Sequence, residues 1–321
     1  MRSNELDYDL PGDLVAQHPV EPRDASRMLV FDRVSREIRH RRFRDLPEEL
    51  RGHLVVVNDT RVVPARLRLR RETGGDVEVL LLERRDDSTW EALARPSRRL
   101  RPGERLAACN RLVQASAVEL VEALGEGRWI VRLEGEPAGE VPLPPYIHEP
   151  QADPERYQTV YAHDAGSAAA PTAGLHFSPG LLERVDHVAV TLHVGLDTFR
   201  PLTEETVEEH AIHGERYRVD PGVRAQIDAA ERVLAVGTTT TRVVETLARG
   251  GPLEGRTELY ITPGFAFRRV DALLTNFHLP RTTLLALVMA FAGVEETRRL
   301  YAVAVEERYR FYSFGDAMLV L

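Results

Sequence analysis

Val233-Leu234-Ala235-Val236-Gly237-Thr238-Thr239-Thr240-Thr241-Arg242-Val243 is an apolar run that stops in a glycine, four hydroxyls and an arginine before a helical pattern resumes. The run is short and unbroken, so it reads as a strand buried on both faces. Val243 to Leu247 then reads as a helix capped by Thr241 or a neighbour. Free N–H groups at such a helix start, with the helix dipole behind them, make an anion site of Thr238, Thr239 and Arg242. The plainer alternative is that the threonines only cap a helix and fill a turn.

Three more stretches share that grammar: Pro171-Thr172-Ala173-Gly174-Leu175-His176-Phe177-Ser178-Pro179, Leu192-His193-Val194-Gly195 and Thr275-Asn276-Phe277-His278-Leu279-Pro280. Three of the four loops resemble helix starts, and α/β folds gather their ligands where strand ends turn into helix N-termini. Thr172, Gly174, Gly195 and Asn276 are therefore candidate binding residues. His176, His193 and His278 stand at or beside these ends. Histidine titrates near neutral pH and can give and take protons within one turnover. One such histidine alone is as well read as a structural hydrogen-bonder; three in equivalent places point to proton transfer. Metal ligation is the competing use and leads to a metal-dependent α/β-barrel hydrolase as the alternative. No H-x-H pair, H-E-x-x-H motif or cysteine ligand supports it. His210 and His213, three apart near Glu209, read as a solvated helix end before Gly214.

Working outward, Ser178 is a good N-cap with Pro179 behind it, and Val188-Ala189-Val190-Thr191-Leu192 is another buried strand. A helix opens at Pro221-Gly222-Val223 and runs through Ala230. Thr282 or Thr283 caps Leu284 to Phe291, which is apolar all round and so buried. Towards the N-terminus, Pro11 to Gln17 is helix-like, and Met28 to Phe31 and Leu54 to Val57 are strands. The second ends in Asn58-Asp59-Thr60-Arg61, an amide, a carboxylate, a hydroxyl and a guanidinium in one turn. An Asx turn would account for it; its place at the junction with the next segment favours function.

From Val62 the pattern changes to short period-two runs, Ala65 to Leu69, Val77 to Leu82, Trp90 to Ala94 and Trp129 to Leu133, punctuated by Gly74-Gly75 and Gly125-Glu126-Gly127. Such spacing describes an antiparallel all-β barrel or sandwich. The expected organisation is an α/β domain over 1–61 and 153–321, carrying an inserted β-barrel over 62–152. Arg95-Pro96-Ser97-Arg98-Arg99-Leu100-Arg101, with Arg66, Arg68, Arg70 and Arg71, is a candidate phosphate-contacting face of that insert, though most charge runs are only solvated.

The 321 residues, 43 % apolar, suffice for two domains with a sizeable core. No run reaches the roughly 18 apolar residues of a membrane span, and the start lacks a charged-then-apolar signal, so a soluble cytoplasmic protein is expected. The lone Cys109 cannot form an internal disulfide and reads as an inert thiol. All 42 basic residues are arginine, which excludes Schiff-base and Walker-lysine chemistry. The net charge of −8 argues against a generic nucleic-acid coat but leaves room for a local basic surface. No exposed heptad or long apolar edge advertises a partner, so a monomer is expected.

These segments together resemble the S-adenosylmethionine:tRNA ribosyltransferase-isomerases of queuosine biosynthesis, nearly end to end. The likeness is carried by Leu10-Pro11 through Pro19, Glu21-Pro22-Arg23-Asp24-Ala25-Ser26-Arg27, Asn58 through Leu67, Arg95-Pro96-Ser97 and Tyr157-Gln158-Thr159-Val160-Tyr161. It continues through Ala169 to Phe177, Thr191 to Gly195, Val236 to Thr239, Thr275 to Pro280 and Tyr312-Ser313-Phe314-Gly315-Asp316-Ala317-Met318. Departures are few. Asp197 stands where the family shows a small residue, Thr240-Thr241 replaces a Ser-Val pair, and Arg281 replaces a lysine. Arg281 is unsuited to proton transfer and supplies positive charge instead. Ile212-His213-Gly214-Glu215 loosely matches an M-H-x-E pattern, making Glu215 an acidic candidate.

The resemblance implies a barrel-like α/β catalytic domain with an inserted antiparallel β-barrel. It implies S-adenosylmethionine as co-substrate, no metal, and tRNA carrying a 7-aminomethyl-7-deazaguanine wobble base as partner. The products would be epoxyqueuosine-tRNA, adenine and methionine. The sulfonium charge acidifies the C5′ hydrogens, so a base removes one and adenine leaves with the help of a general acid. The sugar carbons then rearrange, the amine of the substrate base is captured, and methionine departs as the epoxide forms. His176, His193 or His278 suits that proton traffic, with Asp59 or Glu215 orienting or acting as acid. Thr238, Thr239 and Arg242 suit the methionine carboxylate or a phosphate; Arg27, Arg61, Arg66, Arg98 and Arg99 suit the anticodon arm. Asn58, Thr60, Thr172, Gly174, Gly195, Asn276 and Arg281 complete the expected binding set.

Overall fold

Leu54 to Val57 shows no alternation because both faces of that strand are covered: the three valines are fully buried and Leu54 nearly so. The computed structural model describes residues 1–50, 52–108, 117–133, 135–149, 151, 153–195, 202–210, 212 and 214–321; Cys109, Asp197 and His213 lie outside the described residues. Strands β1 (Arg27–Phe31), β2 (Ile38–Arg42) and β3 (His53–Asn58) come first. Then follow β4 (Arg66–Arg71), β5 (Asp76–Arg84), β6 (Thr89–Arg95), β7 (Arg105–Ala108), β8 (Val118–Gly125) and β9 (Arg128–Leu133). After these come β10 (His187–Leu192), β11 (Glu215–Arg218), β12 (Arg232–Val236), β13 (Glu254–Thr257), β14 (Ala272–Asn276) and β15 (Ala317–Val320). The longer helices are α1 (Pro221–Ala229), α2 (Thr238–Ala248), α3 (Thr283–Ala292) and α4 (Val294–Glu306).

The chain divides into two units: Met1–Thr60 with Pro144–Asp164 and Ala170–Leu321, and Arg61–Leu143 with Ala165–Ala169. Pro144 to 152, which composition grouped with the insert, thus packs with the first unit, and 165–169 packs with the second.

The first unit is α/β, built on a nine-stranded sheet in the order β13-β11-β10-β3-β12-β14-β15-β1-β2. Its centre, β10-β3-β12-β14, is parallel, whereas β15 runs against β14 and parallel to β1. Met28, Phe43, Val55, Val57, Phe177, Leu234, Leu274 and Leu319 pack one buried face of it. The second unit is the antiparallel barrel, closed in the order β9-β6-β5-β4-β7-β8. Leu67 and Leu69 point inward with Val77, Val79, Leu81, Trp90 and Trp129, while Arg68 and Arg70 point out. The period-two pattern is the direct signature of that one-sided burial.

Some local expectations fail for definable reasons. Helix α2 begins at Thr238, not near Val243, because Gly237 at φ +90° serves as N-cap. Thr240 and Thr241 then lie inside the first turn and return their hydroxyls to the carbonyls of Val236 (2.7 Å) and Gly237 (3.0 Å). Pro11 to Gln17 forms only a 3₁₀ turn over Gly12–Leu14. Ser178 and Thr282 cap as read, accepting from Leu181 and Leu285 N–H at 3.3 Å each. No helix among the described residues is long and apolar enough to cross a membrane.

Candidate active site

Strands β3, β10, β12 and β14 end side by side at Asn58, Leu192, Val236 and Asn276. Because β15 and β1 run the opposite way, their first residues meet the same edge: Ala317 sits opposite both Asn276 and Met28. Side chains from six strands thereby converge on one edge of the sheet.

Thr172 and Asn276 line a small pocket there with a cavity volume of about 30 Å³, with Tyr146, Phe277, His278, Leu284, Tyr312 and Ser313 among its walls. The Thr172 hydroxyl donates to Asn276 Oδ1 (3.0 Å), and Asn276 Nδ2 contacts His176 Nε2 (3.2 Å). His176 Nδ1 lies 2.8 Å from Ser26 Oγ, and its ring stacks on Phe43. Residues Thr172–His176 form a 3₁₀ turn, not the strand end that the sequence indicated. Burial, reinforced by the charges of Arg310, Arg156 and Arg23, lowers the His176 pKa to about 3. Gly174 is required: a Cβ there would collide with the Tyr161 hydroxyl and lie 2.9 Å from Thr159 Cγ2. Tyr312 closes the pocket with a left-handed φ of +72°, a strained conformation for a bulky residue, while its N–H bonds Phe277 O at 3.0 Å.

His278 follows β14 directly. Its Nε2 is 2.7 Å from Thr275 Oγ1, its N–H donates to Tyr301 (2.9 Å), and its carbonyl accepts from Tyr8 (2.5 Å). Burial alone lowers its pKa to about 3. Burial without a carboxylate partner disfavours the imidazolium, so the His176 and His278 rings are held uncharged.

His193 differs, its side chain remaining 22 % exposed. Its Nδ1 contacts Thr60 Oγ1 (2.9 Å), and its Nε2 lies 4.0 Å from Asp164, which also pairs with Arg218. Burial lowers its pKa while Asp164 opposes the shift. Asp59 accepts from Thr191 (2.7 Å), and burial raises its pKa against that bond, with Asp164 adding to the rise. Asn58 ties the strand ends to the helix: Oδ1 accepts from Leu192 N (3.0 Å), and Nδ2 donates to Leu192 O (3.0 Å) and Thr239 Oγ1 (3.3 Å).

A second small pocket, about 40 Å³ in cavity volume, is lined by Thr238, Thr239, Arg242, Tyr260 and Leu284 and lies at the N-terminus of α2. Leu284 borders both pockets. Arg242 is not a free anion ligand, however. Its guanidinium pairs with Glu215 and also donates to the carbonyls of Leu259 (2.9 Å) and Thr257 (3.0 Å). Glu215 in turn accepts from the N–H of Gly195 (2.9 Å). This buried pair holds Gly195, three residues past the end of β10.

Among the expected arginines, Arg27 is used internally: it donates to Glu307 O (2.6 Å) and stacks 3.8 Å over the Tyr309 ring. Arg61, Arg66, Arg98 and Arg99 belong to the barrel unit. Arg98 and Arg99 are exposed, and their guanidinia make no hydrogen bond or ion pair with the described residues. Arg281, at φ +56°, is likewise exposed beside the β14 end. Ser26, Tyr146, Asp164, Tyr301 and Ser313 are site residues that the sequence reading did not single out. Only Ser26 and Ser313 lay in conspicuous motifs; the others act through partners far away in the chain. Among the described residues, no three of His, Cys, Asp and Glu are placed to hold one metal ion.

Two pockets at converging strand ends, one against a helix N-terminus, are the arrangement of an α/β enzyme. A family model described as queuosine biosynthesis protein matches residues 3–320. A relative from Rubrobacter xylanophilus, named S-adenosylmethionine:tRNA ribosyltransferase-isomerase, is 56 % identical over 100 % of this chain and 98 % of its own. One of the same name from Symbiobacterium thermophilum is 51 % identical over the whole of both chains. The crystal structure of an S-adenosylmethionine tRNA ribosyltransferase from Thermotoga maritima is similar with a TM-score of 0.56 and 37 % identity, over 99 % of this chain and 100 % of that one. The chain belongs to the queuosine biosynthesis protein family. The hydrolase alternative finds no support among these relatives.

Proposed function

We propose that this chain transfers and isomerises the ribosyl moiety of S-adenosylmethionine onto 7-aminomethyl-7-deazaguanine at the tRNA wobble position, releasing adenine and methionine. The observation that carries the reading is full-length likeness to relatives named S-adenosylmethionine:tRNA ribosyltransferase-isomerase, at 56 % and 51 % identity. The reading includes a cytoplasmic monomer that needs no metal and has tRNA as its macromolecular partner.

The roles follow from the chemistry of each group. His193 is assigned the shuttling imidazole, because it is partly exposed and has a hydroxyl on one nitrogen and a carboxylate near the other. Asp59, whose acidity is weakened by burial, is assigned the carboxyl that donates or takes the second proton. His176 and His278 remain neutral and are assigned hydrogen-bonding roles. Thr238 and Thr239, with the α2 N-terminus, suit the methionine carboxylate. Arg281 adds positive charge, Arg98 and Arg99 suit anticodon-arm phosphates, and Glu215 with Arg242 holds the framework.

The test is to incubate the protein with S-adenosylmethionine and suitably modified tRNA and to measure free adenine by chromatography. Adenine should appear only when both substrates are present, and His193→Gln should slow its release about a hundredfold or more. No adenine from the wild-type protein would end the reading.

A further inference from the structure

Counting protons through the side chains beneath the first pocket fixes what its wall can offer a ligand. The Ser26 hydroxyl donates its only proton to the carbonyl of Arg23 (3.3 Å). With the Asn276 amide nitrogen placed against His176 Nε2, the imidazole proton sits on Nδ1 and the Ser26 oxygen accepts it at 2.8 Å. A neutral His176 then has only a lone pair on Nε2, which accepts from Asn276 Nδ2 at 3.2 Å. That orientation turns Asn276 Oδ1 towards Thr172, whose single hydroxyl proton it accepts at 3.0 Å. The chain of bonds has one direction, from Thr172 through Asn276, His176 and Ser26 to Arg23. Thr172 is left with lone pairs only, and Asn276 keeps one N–H with no partner among the described residues.

We propose that Thr172 and Asn276 are the specificity-determining pair for the adenine of S-adenosylmethionine, reading its exocyclic N–H and an adjacent ring nitrogen as one donor beside one acceptor. Ser26 and His176 are positioning residues that fix the polarity of the pair. The inference rests on the activity proposed above. Adenine matches this wall because N6–H lies next to the lone pair of N1 or N7. Phe277, Leu284 and Tyr312 supply apolar and aromatic surface for a flat ring. Leu284 also borders the pocket at the α2 N-terminus, which suits the carboxylate end of the same small molecule. A guanine-type base of the RNA also presents a donor beside an acceptor, and the experiment separates the two sources.

The experiment is calorimetric titration of wild-type protein and Thr172→Val with S-adenosylmethionine and with S-inosylmethionine, in which a carbonyl replaces the amine. Wild type should bind the inosyl analogue roughly tenfold to a hundredfold more weakly, because an acceptor would face an acceptor. In Thr172→Val that ratio should fall to within about threefold, with tRNA affinity unchanged. Equal binding of the two compounds by wild type would overturn the inference without recourse to any variant. So would a Thr172→Val protein that keeps the full ratio, or one that keeps it and loses tRNA instead. Wild type binding no S-adenosylmethionine at all would end both this inference and the proposed activity. Adenine release without discrimination would end the inference alone.

Discussion

At the scale of single residues, His176 and His278 tie the stability of the fold to pH. Each has a pKa near 3 in the folded chain, held down by burial, against 6.5 for the free side chain. Below pH 6.5 the unfolded chain takes up protons that the folded one cannot, so stability rises with pH between about 3 and 6.5. It is complete above that window and is lost as the pH falls through it. Each histidine contributes about 1.4 kcal/mol per pH unit, on the order of 4 kcal/mol for the pair between pH 6.5 and 5. Asp59 and Asp316 act in the opposite sense, since burial raises their folded pKa and acid therefore favours the folded form. Urea midpoints measured from pH 7.5 to 5 should decline below pH 6.5, and His278→Gln should remove about half the slope. A midpoint flat across that range would show that these rings are charged or solvated after all.

Among elements, helix α2 does more than present its N-terminus to the second pocket. Glu245, fully buried on its inner face, pairs with Arg249 and accepts from the backbone N–H groups of Arg268 (3.0 Å), Arg269 (2.8 Å) and Val270 (3.0 Å). Those residues lead directly into β14, the strand that carries Asn276. Removing the carboxylate would leave three N–H groups without their acceptor and take the counter-charge from Arg249, which keeps the carbonyls of Glu245 and Ala266. Glu245→Ala should therefore cost about 3–5 kcal/mol in urea unfolding, and Glu245→Gln distinctly less. A loss below about 1 kcal/mol for the alanine variant would mean that water replaces the carboxylate at little cost. Nothing in the sequence marks Glu245, and the reason is general. What could be read were features written in local spacing: the doubly buried Leu54 to Val57, the Arg-Leu alternation of β4, and the caps at Ser178 and Thr282. Bonds between chain-distant residues, such as Glu215 with Arg242 or His176 with Ser26, leave no periodic trace. Nor does a sequence show dielectric: three histidines look alike in the text, yet two are sealed and one meets solvent. The start of α2 was misplaced because four threonines suggest a cap, whereas the positive φ of Gly237 is a property of the backbone alone.

The whole molecule carries a net charge of −8 and is proposed to bind a polyanion, so the arrangement of charge matters more than its sum. In the barrel unit seven of the described arginines are already neutralised. Arg68 pairs with Glu140, Arg70 with Asp76, Arg71 with Glu104, Arg84 with Glu136, Arg132 with Glu119, and both Arg85 and Arg128 with Glu91. Arg95, at the end of β6, and Arg98 and Arg99, in the loop after it, are exposed and have no carboxylate partner among the described residues, whereas Arg101 donates its backbone N–H to Glu104 (3.3 Å). Uncompensated guanidinia gathered within five residues of chain are what phosphate binding needs, because each one that meets a phosphate releases a condensed counterion. The paired arginines would first have to give up a carboxylate. Reversing two of the three, Arg98→Glu with Arg99→Glu, should weaken tRNA binding and flatten the slope of log affinity against log salt by about two units. Affinity for S-adenosylmethionine measured without RNA should stay as in wild type, since neither residue lies in the unit that holds the two pockets. The control is Arg68→Glu with Arg70→Glu on β4, where the lost charge was already balanced and the slope should move less. If both double variants shift the slope equally, general repulsion explains the effect. If neither does, the RNA lies elsewhere, and the loop's uncompensated charge serves some other purpose.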